Sequence, residues 1–213
     1  MPDLSSTSSP LSLTHFFPDI SPEQMSQLNS LPELYREWNA RINVISRKDE
    51  EQMMLHHVWH SLALALRFKP LAGQNVLDVG TGGGFPGIPM AILYPETGFT
   101  LCDSIGKKIK VVNHIAEALN LQNVQGVHAR CETLDGPFDH IISRAVAPAT
   151  EIMKWTRKSL LSGEGRGWWF LKGGDLSEEF RGIRVEEKTE IYQMLRQDFF
   201  KEKYVIRVLK VFI

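Results

Sequence analysis

Residues 77–87 restrict the fold of this chain more than any other stretch. They end an apolar segment, pass through a turn that holds five glycines, and then begin a helical pattern. Because glycine has no Cβ, such a turn bends tightly and lets a ligand approach the backbone. Pro86 fits an early helical position, where its missing N–H removes no hydrogen bond. The N–H groups at that helix start favour an anionic group, so the turn predicts a ligand site.

From residue 74 onward, short apolar segments alternate with helical patterns. Strands are predicted at 75–79, 98–102, 124–127, 138–143, 167–171 and 204–212. Apolar residues spaced three and four apart predict helices over 105–119 and 148–160. This alternation indicates an α/β fold with a mostly parallel sheet and helices on both faces. A ligand of such a sheet is expected where the strand order switches.

The first third of the chain has a different pattern. Leu31, Leu34, Tyr35 and Trp38 recur on one helix face, and residues 50–67 repeat the rhythm. Residues before 20 are rich in Ser, Thr and Pro. We therefore predict three parts, which are a loosely ordered tail over 1–20, a helical cap over 21–70 and a Rossmann-like domain over 71–213.

Composition narrows the classes of protein that remain. A length of 213 residues suits one domain with an appendage, and no apolar run is long enough to cross a bilayer. Two cysteines, Cys102 and Cys131, form neither a disulfide framework nor a zinc motif, so we expect a reducing cytoplasm. His56 and His60 share a helix face, but no third ligand at suitable spacing follows, and no metal is expected.

Two cofactors fit the glycine turn. Gly82, Gly84 and Gly87 satisfy the dinucleotide spacing, which would suit a nicotinamide-dependent oxidoreductase. Counted from Asp78, the same turn reads acid-x-Gly-x-Gly-x-Gly, the pattern of class I methyltransferases that bind S-adenosylmethionine. Asp103, at the end of the second strand, is placed for the ribose hydroxyls in either case. The proline inside the turn and the lack of a second catalytic domain disfavour the nicotinamide alternative.

Six segments within 42–174 follow one family pattern in sequence and in order. They are 43–46, His57 with Ser61-Leu62, 80–89, 103–108, 143–145 and 172–173. In them the chain resembles the glucose-inhibited division B family, the bacterial guanine-N7 methyltransferases of small-subunit ribosomal RNA. Gly-Phe-Pro-Gly-Ile-Pro at 84–89 is far more specific than a lone glycine motif. The resemblance implies a class I S-adenosylmethionine-dependent methyltransferase fold, Rossmann-like and mostly parallel with seven strands, behind an N-terminal helical cap.

The resemblance also implies the site residues. The residues that the resemblance implies for binding S-adenosylmethionine are Gly80, Gly82, Gly84, Phe85, Asp103, Cys131, Glu132 and Arg144. Those implied at the substrate are His57, Ser61 and Lys172. The sequence departs from the family at His60, where an Asp is usual, and at Cys131, where Ala is commoner.

The implied reaction needs no general base, because guanine N7 carries a lone pair and no proton. Its rate should depend mainly on the alignment of N7 with the methyl group. Arg144, next to the methyl-transfer site, is expected to contact a phosphate, guanine O6 or the carboxylate of the cofactor, leaving N7 accessible.

The implied partner is ribosomal RNA of the small subunit, met within a ribosomal particle by a monomer. A net charge of −1 means that any RNA contact must come from a local basic face. Either a solvated helix face or a phosphate-binding patch explains the basic residues, which are Lys107, Lys108, Lys110, Arg144, Lys154, Arg157, Lys158 and Lys172. The stretch 168–170 is expected in the core rather than stacked on bases. A non-catalytic ribosome assembly factor with the same fold is the remaining alternative.

Overall fold

The computed structural model describes residues 11–39 and 50–210. Seven strands form one sheet in the order β3-β2-β1-β4-β5-β7-β6. They are β1 Asn75–Val79, β2 Gly98–Asp103, β3 Val124–His128, β4 His140–Arg144, β5 Gly167–Gly173, β6 Glu187–Glu190 and β7 Lys203–Leu209. Strands β1 to β5 run parallel, and β7 is antiparallel to both of its neighbours. The predicted fold class, a Rossmann-like seven-stranded sheet, is confirmed.

Helices cover both faces of this sheet. The α-helices are α1 Leu13–Phe16, α2 Pro22–Asn39, α3 His60–Ala65, α4 Gly87–Leu93, α5 Gly106–Ala118, α6 Ala149–Thr156 and α7 Ile191–Leu195. A π-helix, Met54–Trp59, runs directly into α3, and two 3-10 helices occupy Cys131–Thr133 and Asp198–Phe200. None of the described helices is long and apolar enough to cross a membrane.

The central strands are buried on both faces, as parallel strands between helical layers must be. Along β1, Val76 packs into one hydrophobic cluster with the N-terminal helices, α4 and α5. Leu77 and Val79, whose side chains alternate to the opposite face of β1, pack into the other cluster, with α6 and the segment that follows β5. The predicted core position of residues 168–170 is confirmed, since all three side chains are buried.

The N-terminal segment is more ordered than the sequence indicates. Leu13 is buried, and the ring of Phe16 meets Trp59 edge to face at 5.6 Å. The prediction of a loose tail is therefore wrong for residues 11–20, because these apolar side chains gain a hydrophobic contact; residues 1–10 lie outside the described residues. The same cluster joins α2 to the sheet, and the division near residue 70 stays a prediction.

Several boundaries differ from the predicted ones. The helical pattern of 50–67 becomes the π-helix and α3, while α6 begins one residue after Pro148. The strand predicted at 138–143 begins at His140, and Phe138 forms only an isolated bridge. Neither β6 nor α7 was predicted, since the Glu-Lys-Thr-Glu of β6 lacks apolar alternation. The family segment at 43–46 lies outside the described residues.

Candidate active site

One cavity of about 690 Å³ opens at the carboxyl ends of β1, β2 and β4. This position is the switch in strand order, where ligands of doubly wound sheets bind. Eight predicted site residues line the cavity, and they are Gly80, Gly82, Phe85, Asp103, Cys131, Glu132, Arg144 and His57. The structure does not bring Gly84, Ser61 and Lys172 into the lining.

The three predicted glycines of the turn serve different purposes. Gly80, Gly82 and Gly84 all have a positive φ, which disfavours other residues. A Cβ on Gly80 would come within 2.4 Å of the Val146 side chain, and one on Gly84 within 2.6 Å of Ile88. A Cβ on Gly82 would meet nothing within 4 Å. Gly80 and Gly84 are therefore needed for packing, whereas Gly82 leaves open space at the cavity wall where a ligand fits.

Asp78 holds the two ends of the turn together. Its buried carboxylate accepts a hydrogen bond from the Thr81 hydroxyl at 2.7 Å and one from the backbone N–H of Gly87 at 2.9 Å. The backbone N–H at the start of α4 therefore already donates a hydrogen bond within the protein. The prediction that this helix start favours an anionic ligand is wrong for Gly87, because a carboxylate from β1 already occupies it.

The Asp78 carboxyl gives a pH-dependent prediction. Burial raises its pKa to about 7, so between about pH 4 and pH 7 the folded chain binds a proton that the unfolded chain has lost. The free energy of unfolding of wild type minus that of Asp78→Asn should therefore fall as pH rises through this range, and level off above 7. Urea denaturation of both proteins from pH 4 to 8 measures this difference, and a difference independent of pH would contradict the prediction.

Tyr35 connects the helical segment to the turn. Its hydroxyl donates to the carbonyl of Gly83, and its ring lies 4.9 Å from that of Phe85. Burial raises the pKa of this phenol well above its ordinary value, so it stays a donor. Sequence reasoning placed Tyr35 on a packing face of the helix and missed this contact, which depends on tertiary structure alone.

Asp103 ends β2 with its side chain against the turn. One carboxylate oxygen accepts the N–H of Gly82 at 3.0 Å, and the other accepts the N–H of Ile105 at 2.9 Å. Lys108 lies 3.7 Å away, and the carboxylate is buried. A carboxylate has about four acceptor sites, so Asp103 keeps capacity for the two hydroxyls of a ribose.

The wall next to Asp103 is apolar. Cys102 and Cys131 line it, and the Cys102 thiol donates to the carbonyl of Ala129 at 3.2 Å. Burial raises the thiol pKa to about 11 for Cys102 and to about 12 for Cys131. Both thiols stay protonated, which suits packing against an adenine ring rather than nucleophilic attack. Glu132 follows at the rim, 3.6 Å from Arg130.

Arg144 is fixed at the opposite end of the cavity. Its guanidinium donates to His57 Nδ1 at 2.8 Å and to the carbonyl of His56 at 3.2 Å, and it lies 5.5 Å from the centre of the Phe85 ring. Because a guanidinium only donates, His57 Nδ1 accepts, which requires an imidazole with a lone pair on that nitrogen. Arg144 therefore ties β4 to the π-helix beside the cavity.

The structure places His60, and not Ser61, in the lining of the cavity. The Ser61 hydroxyl is buried and donates to the carbonyl of His57 at 2.7 Å, so the prediction of direct substrate binding is not supported. His60 lines the cavity, with its ring edge against Phe199 and Phe200. Burial, together with Arg144, holds the His60 pKa well below its ordinary range, so this ring is neutral.

Lys172 stabilises the loop after β4 instead of lining the cavity. Its ammonium group lies 2.7 Å from Glu179 and donates to the carbonyl of Ala147 at 2.6 Å. The same Glu179 carboxylate accepts the N–H of Ala149 at 2.7 Å. The predicted role of Lys172 in substrate binding is not supported, because its charge is neutralised and nine-tenths covered.

This ion pair gives a second prediction. Lys172→Met should lower the free energy of unfolding by about 3 kcal/mol, because it leaves the Glu179 carboxylate without its cation in a largely buried place. Lys158 and Asp135 provide the control, since this pair lies 3.0 Å apart in solvent and Lys158→Met should change stability by less than about 0.5 kcal/mol. Urea denaturation measures both, and equal effects would contradict the account.

The two histidines considered for a metal have other contacts. The His56 ring stacks on Phe199, with ring centres 3.9 Å apart. Among residues 11–39 and 50–210, no three His, Cys, Asp or Glu side chains converge in a way that could hold a metal. Sequence reasoning missed the contribution of Phe199 to the cavity, because its 3-10 helix carries no recognisable motif.

The strand order, the acid-x-Gly-x-Gly-x-Gly turn and the acidic residue after β2 define a class I S-adenosylmethionine-dependent methyltransferase. A solved S-adenosylmethionine-dependent methyltransferase from Aquifex aeolicus has the same fold, with a TM-score of 0.56 at 15% identity over 71% of this chain and 89% of that one. Aeropyrum pernix fibrillarin, solved with S-adenosylmethionine natively bound, superposes with a TM-score of 0.56 at 12% identity over 71% and 74%.

Sequence relatives identify the family. The family model described as rRNA small subunit methyltransferase G matches residues 24–207. The ribosomal RNA small subunit methyltransferase G of Flavobacterium psychrophilum is 47% identical over 90% of this chain and 94% of its own length. That of Christiangramia forsetii is 44% identical over 91% and 94%. The chain belongs to the rRNA small subunit methyltransferase G family, and the family resemblance inferred from the six segments is confirmed.

Proposed function

We propose that this protein methylates N7 of a guanine in 16S ribosomal RNA, using S-adenosylmethionine. The observation that carries the proposal is the family match over 24–207, whose relatives are named as methyltransferases of small-subunit ribosomal RNA. It acts as a monomer in the cytoplasm, on RNA within a ribosomal particle. The near-neutral net charge supports a ribosomal particle as the substrate, because an enzyme needs less electrostatic attraction to bind RNA already folded on ribosomal proteins than to bind naked RNA.

The residues at the cavity fit the cofactor. The open space beside Gly82 admits a ligand next to the backbone, and Asp103 is placed to accept from the ribose. Cys131 and Glu132 would border the adenine. When bound, S-adenosylmethionine supplies a methyl carbon whose bond to sulfur breaks, the electron pair returning to sulfur, as the N7 lone pair forms the new bond.

The protein has to align the acceptor rather than deprotonate it. Guanine N7 carries no proton, and the neutral ring of His60 therefore has no proton to remove. Arg144 is held by His57 and by the His56 carbonyl, so its guanidinium keeps a fixed direction beside the cavity. We assign this guanidinium to guanine O6 or an RNA phosphate, since a pre-oriented contact of this kind contributes to the near-attack geometry.

Exposed cations near the cavity supply phosphate contacts. Arg130 lines the cavity with a side chain that is 76% exposed, and Lys107 and Lys110 are exposed on α5. Contacts of this kind release counterions when RNA binds, so the affinity for the particle should fall steeply with salt.

The proposal is tested in cells that lack the gene. Small-subunit RNA from these cells should lack one N7-methylguanine that is present when the wild-type gene is restored, and Asp103→Ala should not restore it. If the mark is present with and without the gene, the proposal is wrong. If Asp103→Ala restores ribosome assembly without any mark, the non-catalytic alternative is favoured.

A further inference from the structure

Three consecutive glycines lie in the turn, and two of them, Gly82 and Gly83, line the cavity. A run of glycines has many accessible backbone conformations, so hydrogen bonds must select the one that the folded protein adopts. The N–H of Gly82 donates to Asp103 at 3.0 Å, and that of Gly84 donates to the Thr81 carbonyl at 2.9 Å. These bonds fix two N–H groups of the run, while the carbonyl of Gly83 needs a donor from elsewhere.

Tyr35 supplies this donor, and it belongs to α2 rather than to the sheet. Its hydroxyl donates to the Gly83 carbonyl, and no other donor among residues 11–39 and 50–210 does so. Tyr35 and Gly83 are both buried, and a Cβ on Gly84 would lie 3.0 Å from the hydroxyl. Tyr35 is absent from the cavity lining, so it contacts the turn from behind the wall that a ligand would touch.

We propose that Tyr35 is a positioning residue that holds the glycine turn in the conformation that binds S-adenosylmethionine. The inference rests on the proposed function, since it concerns the cofactor of that reaction. Tyr35 acts on the cofactor through the turn, because none of the residues of α2 lines the cavity. The N-terminal helix therefore sets the affinity for a ligand that it does not contact.

The Tyr35 ring makes a second contact that is separate from the hydrogen bond. It lies 4.9 Å from the Phe85 ring, and Phe85 in turn lies 5.2 Å from the ring of His57. The ring contact survives removal of the hydroxyl, so Tyr35→Phe isolates the hydrogen bond to Gly83. In this variant the buried carbonyl has no donor, which costs free energy unless the peptide rotates. A rotated peptide no longer presents the same turn to the ligand.

Coupling between α2 and the turn acts in both directions. If packing of α2 favours the binding conformation of the turn, a bound ligand favours the packing of α2 by the same factor. S-adenosylhomocysteine, the product formed from the cofactor, should therefore slow local opening of α2. The effect should weaken when the Tyr35 hydroxyl is removed. A tyrosine that only stabilised the fold would lower stability without this reciprocal effect.

Isothermal titration calorimetry with S-adenosylhomocysteine tests the inference in Tyr35→Phe and Tyr94→Phe. Loss of the Gly83 hydrogen bond predicts an affinity about 5-fold to 30-fold weaker in Tyr35→Phe. During methylation of small-subunit particles, KM for S-adenosylmethionine should rise by a similar factor while kcat stays within about 2-fold of wild type. Tyr94→Phe is the matched control and should bind as wild type does, since the Tyr94 hydroxyl donates to the carbonyls of Phe68 at 3.3 Å and Ala65 at 3.4 Å, outside the cavity lining.

Amide hydrogen exchange supplies a second readout, which needs only the wild-type protein. Saturating S-adenosylhomocysteine should slow exchange in α2, and the slowing should be smaller in Tyr35→Phe. An affinity loss of less than about 5-fold in Tyr35→Phe would overturn the inference, even if its thermal midpoint falls. Exchange in wild-type α2 that does not slow would overturn it as well. A wild-type protein that binds no S-adenosylhomocysteine would instead contradict the proposed function, before any variant is compared.

Discussion

Replacing Arg144 with alanine is expected to lower the turnover number about 100-fold to 1,000-fold, the usual effect of losing one pre-oriented donor at a reacting group. The structure gives the reason, since Arg144 links β4 to the π-helix through His57 and His56 and lies against Phe85. Alanine removes the donor and this connection together. Single-turnover methylation of small-subunit particles at saturating S-adenosylmethionine measures the effect directly.

Arg144→Lys should also be strongly impaired. A lysine keeps the charge, but its single ammonium group cannot reproduce the fixed fork that reaches two acceptors. Arg207→Ala is the matched control, because Arg207 lies 5.0 Å from the Trp169 ring and donates to the Gly165 carbonyl far from the cavity lining. Activity per folded molecule should be unchanged there. A turnover number for Arg144→Ala within about 3-fold of wild type would remove this residue from the site.

Asp103→Ala is expected to weaken S-adenosylhomocysteine binding by at least about 100-fold. The variant loses two charge-assisted hydrogen bonds to the ribose, each contributing about 1.5 to 3 kcal/mol. It also leaves the backbone N–H groups of Gly82 and Ile105 without their acceptor, so the turn that contacts the ligand is less well fixed. Isothermal titration calorimetry with the purified protein measures the affinity.

Asp139→Ala separates this effect from a general loss of stability. Asp139 is as buried as Asp103 and likewise accepts a backbone N–H, that of Asn75 at 2.9 Å. It lies before β4 and outside the cavity lining, so its removal should lower stability and leave the affinity for S-adenosylhomocysteine unchanged. Similar losses of affinity in the two variants would contradict the role assigned to Asp103.

The position of the cavity was predictable because it follows from strand order. Asp103 and Arg144 each end a strand, and the carboxyl ends of parallel strands meet at one edge of the sheet. The glycine turn could also be recognised from the sequence, because a residue with a positive φ, such as Gly82, is usually glycine. The positions of such residues depend only on the local backbone conformation and on the order of the strands in the sheet.

The part of the cavity that His56 and Phe199 line could not be predicted in the same way. His56 and Phe199 meet because a π-helix packs against a 3-10 helix, and no sequence pattern predicts either of these elements. Ser61 and Lys172 were assigned to substrate because they lie in two of the segments that carry the family resemblance. Their partners, the His57 carbonyl and Glu179, become visible only when the chain is folded.

The edge of the sheet shows the same limit for the fold. Strand β6 alternates no apolar residues, and its pairing with β7 depends on backbone hydrogen bonds at the end of the sheet. The central strands were easier to predict, because burial on both faces requires continuous apolar runs. A buried strand can be recognised in the sequence from its apolar residues, whereas an exposed edge strand has no such pattern.

The most direct test of the central claim is methyl transfer by the purified protein. Small-subunit particles from cells that lack the gene are incubated with S-adenosylmethionine labelled in its methyl group, and the RNA is digested to nucleosides. The account predicts that the label appears in 7-methylguanosine alone, at one position of 16S RNA, and that Arg144→Ala strongly reduces it. Label in any other nucleoside, or no label with a protein that binds S-adenosylhomocysteine, would contradict the account.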